Sequence, residues 1–292
     1  MATGPVVLDG GLATLLEARG HDLGSDMWSA RLLLDDPAEI VAAHREYYAA
    51  GAQVAITASY QASFEGFARL GLDRAEGEAL LRLATTCAVT ARDEFADAGN
   101  RWVAASVGPY GAMLADGSEY RGDYGRTAGQ LRDWHRPRFD ILAASGADVL
   151  AVETIPCLAE VEALVRLLDG SGVSAWISLT AEGGRTRAGE SIEEAFALAG
   201  SIPEVIAVGV NCCPAPEAAE LAATAAAVTG LPAVVYPNSG ETWDAAGRTW
   251  SGDPTFRASD VRSWAGAGAG LIGGCCRVGP AQITALASAL QR

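Results

Sequence analysis

The sequence contains no lysine: all 21 of its cationic side chains are arginine, in a chain of 292 residues. Schiff-base catalysis, lysine-anchored pyridoxal phosphate and the lysine-containing phosphate loop of P-loop NTPases all require an ε-amine. Those three classes of active site are therefore excluded.

Basic charge and long apolar runs are also scarce. Thirty-six acidic against 21 basic side chains give a formal charge of −15. This acidic charge argues against nucleic acid or an anionic membrane surface as a partner, because both are negatively charged and bind basic patches. No apolar run approaches the roughly 18 residues of a membrane span, and the N-terminus has no basic segment followed by an apolar stretch, as a signal peptide would. We expect a cytoplasmic protein that acts on small molecules; the sequence leaves its oligomeric state open.

Histidine is rare as well, with three residues. His44 lies within an apolar helical stripe and is predicted to be a hydrogen-bonded core residue, whereas His21 and His135 are predicted to lie at the surface. A zinc site built from histidines, of the kind that many hydrolases use, therefore lacks ligands.

What the sequence does contain is an alternation of short β-rich runs with amphipathic helices from end to end. Several of the runs are apolar at consecutive positions, as expected of parallel strands covered on both faces. Eight such units predict an α/β protein: a single (β/α)8 TIM barrel domain over residues 1–292, with a doubly wound open sheet as the main alternative. The predicted strands cover residues 6–9, 53–58, 102–107, 148–153, 174–180, 205–211, 233–236 and 269–273.

Three helix starts carry a capping-box pattern, in which Ser, Thr or Asp precedes Glu or Gln by three residues. They are residues 36–39, with proline at the first helical position, residues 127–130 and residues 191–194. Each is expected to begin a helix between two strands.

Six cysteines stand out against this background. In a chain of this size without a secretory signal they are more typical of metal ligands or reduced core thiols than of a disulfide framework. Cys275 and Cys276 are adjacent and follow an apolar run and two glycines. Neighbouring side chains of a regular strand point to opposite faces, so both thiols can reach one partner only if the strand breaks there, which Gly273 and Gly274 allow.

A third thiol, Cys212, comes after the apolar run at residues 205–210. Three thiolates from two strand ends would form a metal site with an open fourth position, as catalytic zinc requires. The alternative is that these cysteines are buried small hydrophobic residues. Cys213 is an ambiguous neighbour; we favour Cys212 because it comes directly after the strand.

Other polar residues follow the predicted strands at the same end of the barrel, where (β/α)8 enzymes place their active sites. Barrel closure puts the eighth strand beside the first, so the thiols and the segment after the first strand are expected to lie close together. For the carboxylates of this set, a simple loop or capping role is the alternative to binding. The set comprises Asp9, Gly10 and Gly11 at the end of the first strand, Glu153 and Thr154 at the end of the fourth, Asn211 at the end of the sixth and Asn238 after the seventh.

The glycine pattern at residues 268–273 matches the dinucleotide-binding fingerprint in its letters alone. In a true fingerprint the glycines follow a strand and open a helix, whereas here they precede and run through a strand. Nucleotide binding is therefore not predicted.

Taken together, these stretches resemble the homocysteine S-methyltransferase family, the zinc-dependent barrels that methylate homocysteine. The resemblance covers essentially the whole chain and runs through residues 8–14, 56–63, 209–212 and 273–277. Further stretches, at residues 106–111, 117–122 and 236–241, are similar to the subgroup that uses S-methylmethionine rather than betaine or folate as the methyl donor.

The resemblance implies an enzyme that transfers a methyl group to the thiol of homocysteine, giving methionine. The implied donor is a sulfonium, either S-methylmethionine or, as a poorer donor, S-adenosylmethionine. The implied cofactor is Zn²⁺, held by Cys212, Cys275 and Cys276. The resemblance implies that Asp9, the amides of Gly10 and Gly11, and Glu153 hold the amino-acid end of homocysteine, and that Tyr60 lies near the methyl donor. Thr154, Asn211 and Asn238, at the strand ends, are further predicted substrate-binding residues. The alternatives are another donor such as betaine, another acceptor thiol or a selenocysteine-type acceptor, a zinc hydrolase or lyase, and a non-catalytic zinc–thiolate protein.

Overall fold

Eight parallel strands form the centre of the molecule in the computed structural model, which describes residues 4–21, 28–97, 100–244 and 249–291. Each strand pairs in parallel with the strand of the next βα unit. The eighth strand also pairs with the first, with Val6 opposite Leu271. The strands are β1 (Val6–Val7), β2 (Val54–Ile56), β3 (Trp102–Val107), β4 (Val149–Ile155), β5 (Ala175–Leu179), β6 (Val205–Asn211), β7 (Ala233–Tyr236) and β8 (Ala269–Ile272).

The sheet closes between its first two strands. Leu8 forms a parallel bridge with Val54, and the amide of Asp9 donates to the carbonyl oxygen of Val54 at 3.0 Å. The fold is therefore the closed barrel rather than the open doubly wound sheet. Strands β3, β6 and β7 have their predicted boundaries, and β4 continues two residues past its predicted end to Ile155.

One to three helices follow each strand and form the outer ring of the barrel. Among the described residues, no helix combines the length and the apolar character needed to span a bilayer. The helices are α1 (Leu12–Ala18), α2 (Trp28–Asp35), α3 (Pro37–Ala49), α4 (Phe64–Arg69), α5 (Arg74–Asp93), α6 (Tyr110–Leu114), α7 (Ala128–Ala143), α8 (Leu158–Leu168), α9 (Ile192–Ala199), α10 (Ala218–Thr229), α11 (Val261–Gly266) and α12 (Pro280–Gln291).

Two of the three predicted helix caps are present. Thr127 and Ser191 each accept a hydrogen bond from the backbone amide three residues on, at 3.3 and 3.2 Å, and the box at Thr127 is complete. At Asp36 the helix begins at Pro37 as predicted, but the predicted side-chain cap is wrong, because the Asp36 side chain makes no capping bond. Glu39, its intended reciprocal partner, instead pairs with Arg19 at 2.8 Å on a neighbouring helix end.

The barrel has an interior core distinct from the larger one between strands and helices. Its two largest members make a polar contact, in which Trp176 Nε1 donates to the Tyr236 hydroxyl at 3.1 Å. That hydroxyl also lies 2.6 Å from Ser178 Oγ and hydrogen-bonds the carboxylate of Glu153. A polar chain therefore leads from the apolar interior to the strand ends. The interior core consists of Leu8, Val54, Ile56, Ala104, Val149, Ala151, Trp176, Ala207, Val234 and Tyr236.

Two histidines are fully buried, and the surface prediction for His135 is wrong. His135, on α7, has its Nε2 2.8 Å from Glu160 Oε1 on α8, and burial lowers its pKa. The sequence pattern did not reveal this because the partner lies on a different helix. His44 is a core residue as predicted, and burial lowers its pKa to about 4. Its ring nitrogens have no hydrogen-bond partner in the described part of the chain, so the predicted hydrogen bond is not found.

Candidate functional site

Three cysteine sulfurs meet at the mouth of the barrel, at the ends of two strands. Cys212 directly follows β6, and Cys275 and Cys276 follow β8 after two glycines. The three sulfur atoms all lie within 4.8 Å of one another, although Cys212 and Cys275 are 63 residues apart in sequence. The convergence expected from the strand ends is therefore present in the fold.

The backbone at both strand ends departs from regular strand geometry, which allows the thiols to meet. Cys212 has a left-handed φ of 48°, which a non-glycine residue adopts only when its surroundings hold it there. After β8 the chain turns tightly at Gly274, where a Cβ atom would lie 2.1 Å from Cγ1 of Val278. A side chain at this position would displace the turn that carries the two adjacent cysteines.

The loop after β7 fixes the same turn from the other side. The amide of Cys275 donates to the carbonyl oxygen of Pro237 at 2.8 Å, and the amide of Cys276 donates to Oδ1 of Asn238 at 3.2 Å. Asn238 is thus half-buried beside the sulfur group, with its side-chain oxygen positioning Cys276. Contact between Asn238 and a substrate stays a prediction.

Cys213 is not part of the sulfur group. It packs in the outer core with 1% exposure, and burial raises the pKa of its thiol to about 12. Within the described residues, the sulfurs close enough to share an ion are those of Cys212, Cys275 and Cys276. The geometry therefore distinguishes the two neighbours and favours Cys212.

The donor set fits a thiophilic metal ion. In the structure a disulfide joins Cys212 and Cys275 with 5.5 Å between their Cα atoms, so metal binding requires the reduced form. Zn–S bonds of about 2.3 Å put the sulfurs of one tetrahedron roughly 3.8 Å apart. Sulfurs already within 4.8 Å of one another need only small side-chain rotations to reach such an ion. Three thiols favour Zn²⁺ or another soft ion over Mg²⁺ or Ca²⁺.

Asp9 follows β1 with one carboxylate oxygen bound and the other free. Oδ2 accepts from the amide of Ile56 at 2.8 Å, whereas the buried Oδ1 has no hydrogen-bond partner among the described residues. Burial, reinforced by the negative charge of Glu153, raises the pKa of Asp9 well above its usual value. A buried, unused acceptor beside a second carboxylate is suited to an ammonium group.

Gly10 and Gly11 let the segment after β1 press against the cysteine turn. A Cβ atom would lie 2.0 Å from the carbonyl oxygen of Val278 at Gly10 and 2.6 Å from that of Cys275 at Gly11. The amide of Gly11 donates to the carbonyl oxygen of Val278 at 3.0 Å. The structure thus gives this amide a partner within the chain, and contact of either amide with a substrate stays a prediction.

Glu153 lies near the end of β4 and is 6% exposed. Ser106 Oγ and the Tyr236 hydroxyl, two groups that sequence reasoning did not single out, hydrogen-bond its carboxylate. Burial raises the pKa of Glu153 to about 7, while the two hydrogen bonds act in the opposite direction. With Asp9, Glu153 forms an acidic pair at the strand ends.

Asn211 holds Thr154 in a left-handed conformation. Thr154 has φ of 60°, its amide donates to Oδ1 of Asn211 at 2.7 Å, and Nδ2 of Asn211 donates to Oγ1 of Thr154 at 2.7 Å. Ser178 Oγ also donates to Oδ1 of Asn211, at 2.8 Å. The phenol of Tyr60 hydrogen-bonds the Thr154 side chain. The three predicted site residues therefore form one network, and their contacts with substrate stay predictions.

Strained backbone concentrates at the mouth. Four described non-glycine residues have a left-handed φ, and three of them, Thr154, Cys212 and Arg277, belong to these strand ends. Such conformations cost on the order of 1–3 kcal/mol each and persist where the surrounding structure over-determines them. The site is therefore held rigidly by the barrel.

Two further site residues lie in the connection between β3 and α7, and sequence reasoning did not single them out. The Tyr120 hydroxyl hydrogen-bonds the thiol of Cys276. Glu119, 4% exposed, acts electrostatically on both Cys276 and Tyr60. Both residues belong to the stretch 117–122 that carried part of the resemblance, but its spacing does not show that it folds back to the strand ends.

Comparison with known proteins points to a single family. A family model described as Homocysteine S-methyltransferase matches residues 6–290. The homocysteine S-methyltransferase YbgG of Bacillus subtilis is 44% identical, over 97% of this chain and 93% of its own. A homocysteine S-methyltransferase of Escherichia coli is 45% identical, over 96% of this chain and 94% of its own.

Solved structures of one such protein have the same barrel. The metallated form of the homocysteine methyltransferase MmuM from Escherichia coli matches with a TM-score of 0.89 and 43% identity, covering 98% of this chain and 96% of that one. Its oxidized form matches with a TM-score of 0.87, also at 43% identity. The similarity extends over nearly the whole of both chains.

Proposed function

The chain belongs to the homocysteine S-methyltransferase family, and from that premise we propose that it transfers a methyl group from a sulfonium donor, S-methylmethionine, to the thiol of homocysteine, giving methionine. The observation that carries the proposal is the group of three sulfurs at the barrel mouth, with two buried carboxylates, Asp9 and Glu153, at the ends of two other strands. Thiols suit a soft metal ion that binds a substrate thiolate, and carboxylates suit the ammonium group of an amino acid. Residues 1–292 would act as one unit, because the site draws on Asp9 and on Cys276.

Cys212, Cys275 and Cys276, in their reduced form, would hold a Zn²⁺ ion. An ordinary thiol has a pKa of about 8.5 and is mostly protonated at neutral pH; the bound metal would supply the positive charge that keeps the substrate thiol deprotonated. Cys213 lies outside the sulfur group of the described residues. This supports a site with an open coordination position over a closed structural or storage site.

Asp9 and Glu153 would bind the ammonium group of homocysteine. Asp9 offers the free oxygen Oδ1, and Glu153 is oriented by Ser106 and Tyr236. Both carboxyl groups are costly to ionise in the buried site, and an incoming ammonium supplies the missing counter-charge. Homocysteine binding would therefore ionise the pair and leave the substrate thiol directed to the cysteine group.

The remaining requirements of the reaction are position and charge. A sulfonium methyl group is already activated by the positive charge on sulfur, so no general base is needed at the transfer step. The protein would hold donor and acceptor in line and exclude water. The thiolates and carboxylates at the mouth attract a cationic donor. Tyr60, fixed through Thr154, would line the donor side of the site.

The donor is tested with reduced protein, Zn²⁺ and homocysteine, comparing S-methylmethionine, S-adenosylmethionine and betaine. We expect methionine to form fastest from S-methylmethionine, more slowly from S-adenosylmethionine, and not from betaine. Replacing homocysteine by selenocysteine tests the acceptor. If no donor gives methionine, the proposal is wrong.

The metal ligands are tested with a matched pair of cysteine variants. Cys276→Ala should lose both bound zinc and methyl transfer, whereas Cys213→Ala should keep both, because its sulfur lies outside the group. Zinc per chain after dialysis is measured alongside methionine formation. A Cys276→Ala protein that retains zinc and turnover would contradict the assignment.

A further inference from the structure

The buried carboxylate of Glu119, near the mouth of the barrel, has no role in the function proposed above. Glu119 lies in a single 3₁₀ turn, Ser118–Tyr120, within the connection between β3 and α7. Its side chain is 4% exposed, and its Oε2 has no hydrogen-bond partner among the described residues. Leaving a buried carboxylate oxygen unpaired is costly, so the protein retains it at the expense of stability.

The turn that carries Glu119 is firmly held. A Cβ atom at Gly111 would lie 2.4 Å from the Glu119 amide nitrogen, so the turn packs directly on α6. The amide of Ser118 donates to Oδ1 of Asp116 at 2.9 Å. The backbone that carries the Glu119 carboxylate is therefore held in place by these contacts and is not a free surface loop.

The nearest cation on this turn is committed elsewhere. Arg121 donates through Nη2 to Oγ of Ser118 at 2.8 Å and through Nη1 to the carbonyl oxygen of Asp116 at 3.1 Å. Burial raises the pKa of Glu119 to about 7, and the charge of Arg121 acts in the opposite direction without restoring the ordinary value. The free oxygen of Glu119 is thus left for a positive charge that enters from outside.

Glu119 is close to the reacting end of the site. The segment that carries Glu119 packs at the end of β4, where a Cβ atom at Gly122 would lie 3.0 Å from the carbonyl oxygen of Pro156. From there Glu119 acts electrostatically on Tyr60 and Cys276. The side chain of the neighbouring Tyr120 interacts with the Cys276 thiol. Glu119 therefore lies on the connection between β3 and α7, at the same mouth of the barrel as the strand ends that carry Asp9 and Glu153.

The sulfonium methyl donor carries one more positive charge than homocysteine. This extra charge makes the donor a suitable ligand for Glu119. Homocysteine brings one ammonium and one carboxylate, and Asp9 with Glu153 would take its ammonium. A sulfonium amino acid brings an ammonium, a carboxylate and a further positive charge on sulfur. We propose that Glu119 is the counter-ion for the cationic methyl donor and sets the preference for a sulfonium over the uncharged thioether that remains after transfer. This inference rests on the proposed function and deepens it.

The test compares Glu119→Gln with Asp123→Asn, an exposed acid of the same connection. Loss of a buried charge partner is expected to raise the KM for S-methylmethionine about tenfold or more, while the KM for homocysteine changes by less than about twofold. Asp123→Asn should match the wild type in both constants. If Glu119→Gln and Asp123→Asn raise the KM for S-methylmethionine equally, the effect comes from the overall negative charge of the connection and not from Glu119, and the proposal is overturned.

A selectivity measurement separates charge recognition from a structural role. Methionine, the demethylated form of the donor, is used as a competitive inhibitor against S-methylmethionine at saturating homocysteine. Glu119→Gln should reduce the ratio of methionine Ki to S-methylmethionine KM, and Glu119→Asp, which retains the charge, should preserve most of it. If both affinities fall together and the ratio stays unchanged, Glu119 is merely structural. Zinc content and thermal unfolding of each variant establish that the fold is intact.

Failure of the inference is distinguishable from failure of the proposed function. A wild-type protein that makes no methionine from S-methylmethionine would end the proposed function. A wild-type protein that is active, with a Glu119→Gln variant whose donor KM and selectivity ratio are unchanged, would end this inference alone.

Discussion

Glu153→Gln is expected to stabilise the protein at neutral and alkaline pH. Burial raises the pKa of Glu153 from 4.5 to about 7, so between these values the folded chain holds a proton that the unfolded chain releases. The free energy of unfolding therefore falls as pH rises through this window, and the loss is complete above it. At about 1.4 kcal/mol per pH unit, the wild type loses on the order of 3 kcal/mol above pH 7 through this one group.

Glutamine resembles the protonated carboxyl in shape and carries no charge, so the variant should escape this loss. Urea unfolding of both proteins, reduced and metal-free, is followed by fluorescence at intervals from pH 4.5 to pH 8. The variant should be more stable by on the order of 3 kcal/mol at pH 8, with the difference shrinking toward zero at pH 4.5. Burial, reinforced by the charge of Glu153, raises the pKa of Asp9. The variant removes that charge and eases the ionisation of Asp9, so the measured difference includes this coupling and has the same sign.

Ser106→Ala provides a check of opposite sign. Ser106 Oγ donates to the Glu153 carboxylate and lowers its pKa, so removing the hydroxyl should raise that pKa further. The pH-dependent loss of stability should then extend to higher pH than in the wild type. A difference between wild type and Glu153→Gln that does not change with pH would refute the reasoning, because it would show that Glu153 titrates alike in the folded and unfolded chain.

Three further outcomes follow from the geometry of the mouth. Oxidation of the metal-free protein should link Cys212 to Cys275, as their Cα separation of 5.5 Å permits, and peptide mapping should find that pair; a different pairing would contradict the geometry. Gly11→Ala should weaken zinc binding, because its Cβ atom would lie 2.6 Å from the carbonyl oxygen of Cys275 and displace the cysteine turn. The control variant Gly266→Ala has open space around the new Cβ atom and should bind zinc normally. Asn211→Ala should destabilise the fold by about 2–4 kcal/mol in urea unfolding, because three buried hydrogen bonds are lost; a loss below about 1 kcal/mol would contradict its positioning role.

The proposed function relies on buried acidic side chains. These carboxylates have lost their hydrating water, and the positive charges of the substrates would stabilise their ionised forms instead. Asp9, Glu119 and Glu153 all have pKa values raised by burial, and each therefore costs folding free energy near neutral pH. In the proposed function, an arriving ammonium or sulfonium would offset that cost by pairing with the carboxylate. Substrate binding is thus expected to raise the thermal stability of the protein.

The sequence by itself determined the barrel and the three thiols that meet at its mouth. Parallel strands buried on both faces must be apolar at consecutive positions, so β3, β6 and β7 could be bounded from sequence alone. Local capping chemistry likewise placed the start of α7 at Thr127. Because (β/α)8 topology brings the carboxyl ends of all strands to one mouth, the meeting of Cys212 with the Cys275–Cys276 pair could be predicted from the sequence alone.

The tertiary structure alone decided which neighbours those residues have. Cys212 rather than Cys213 joins the sulfur group because the chain takes a left-handed turn at the end of β6, and local periodicity does not specify such a turn. Glu119 approaches Cys276 across more than 150 residues of sequence, and His135 is buried against Glu160 on another helix. Hydrophobic patterning reports whether a side chain faces the core, but the partner it meets there depends on how distant segments pack.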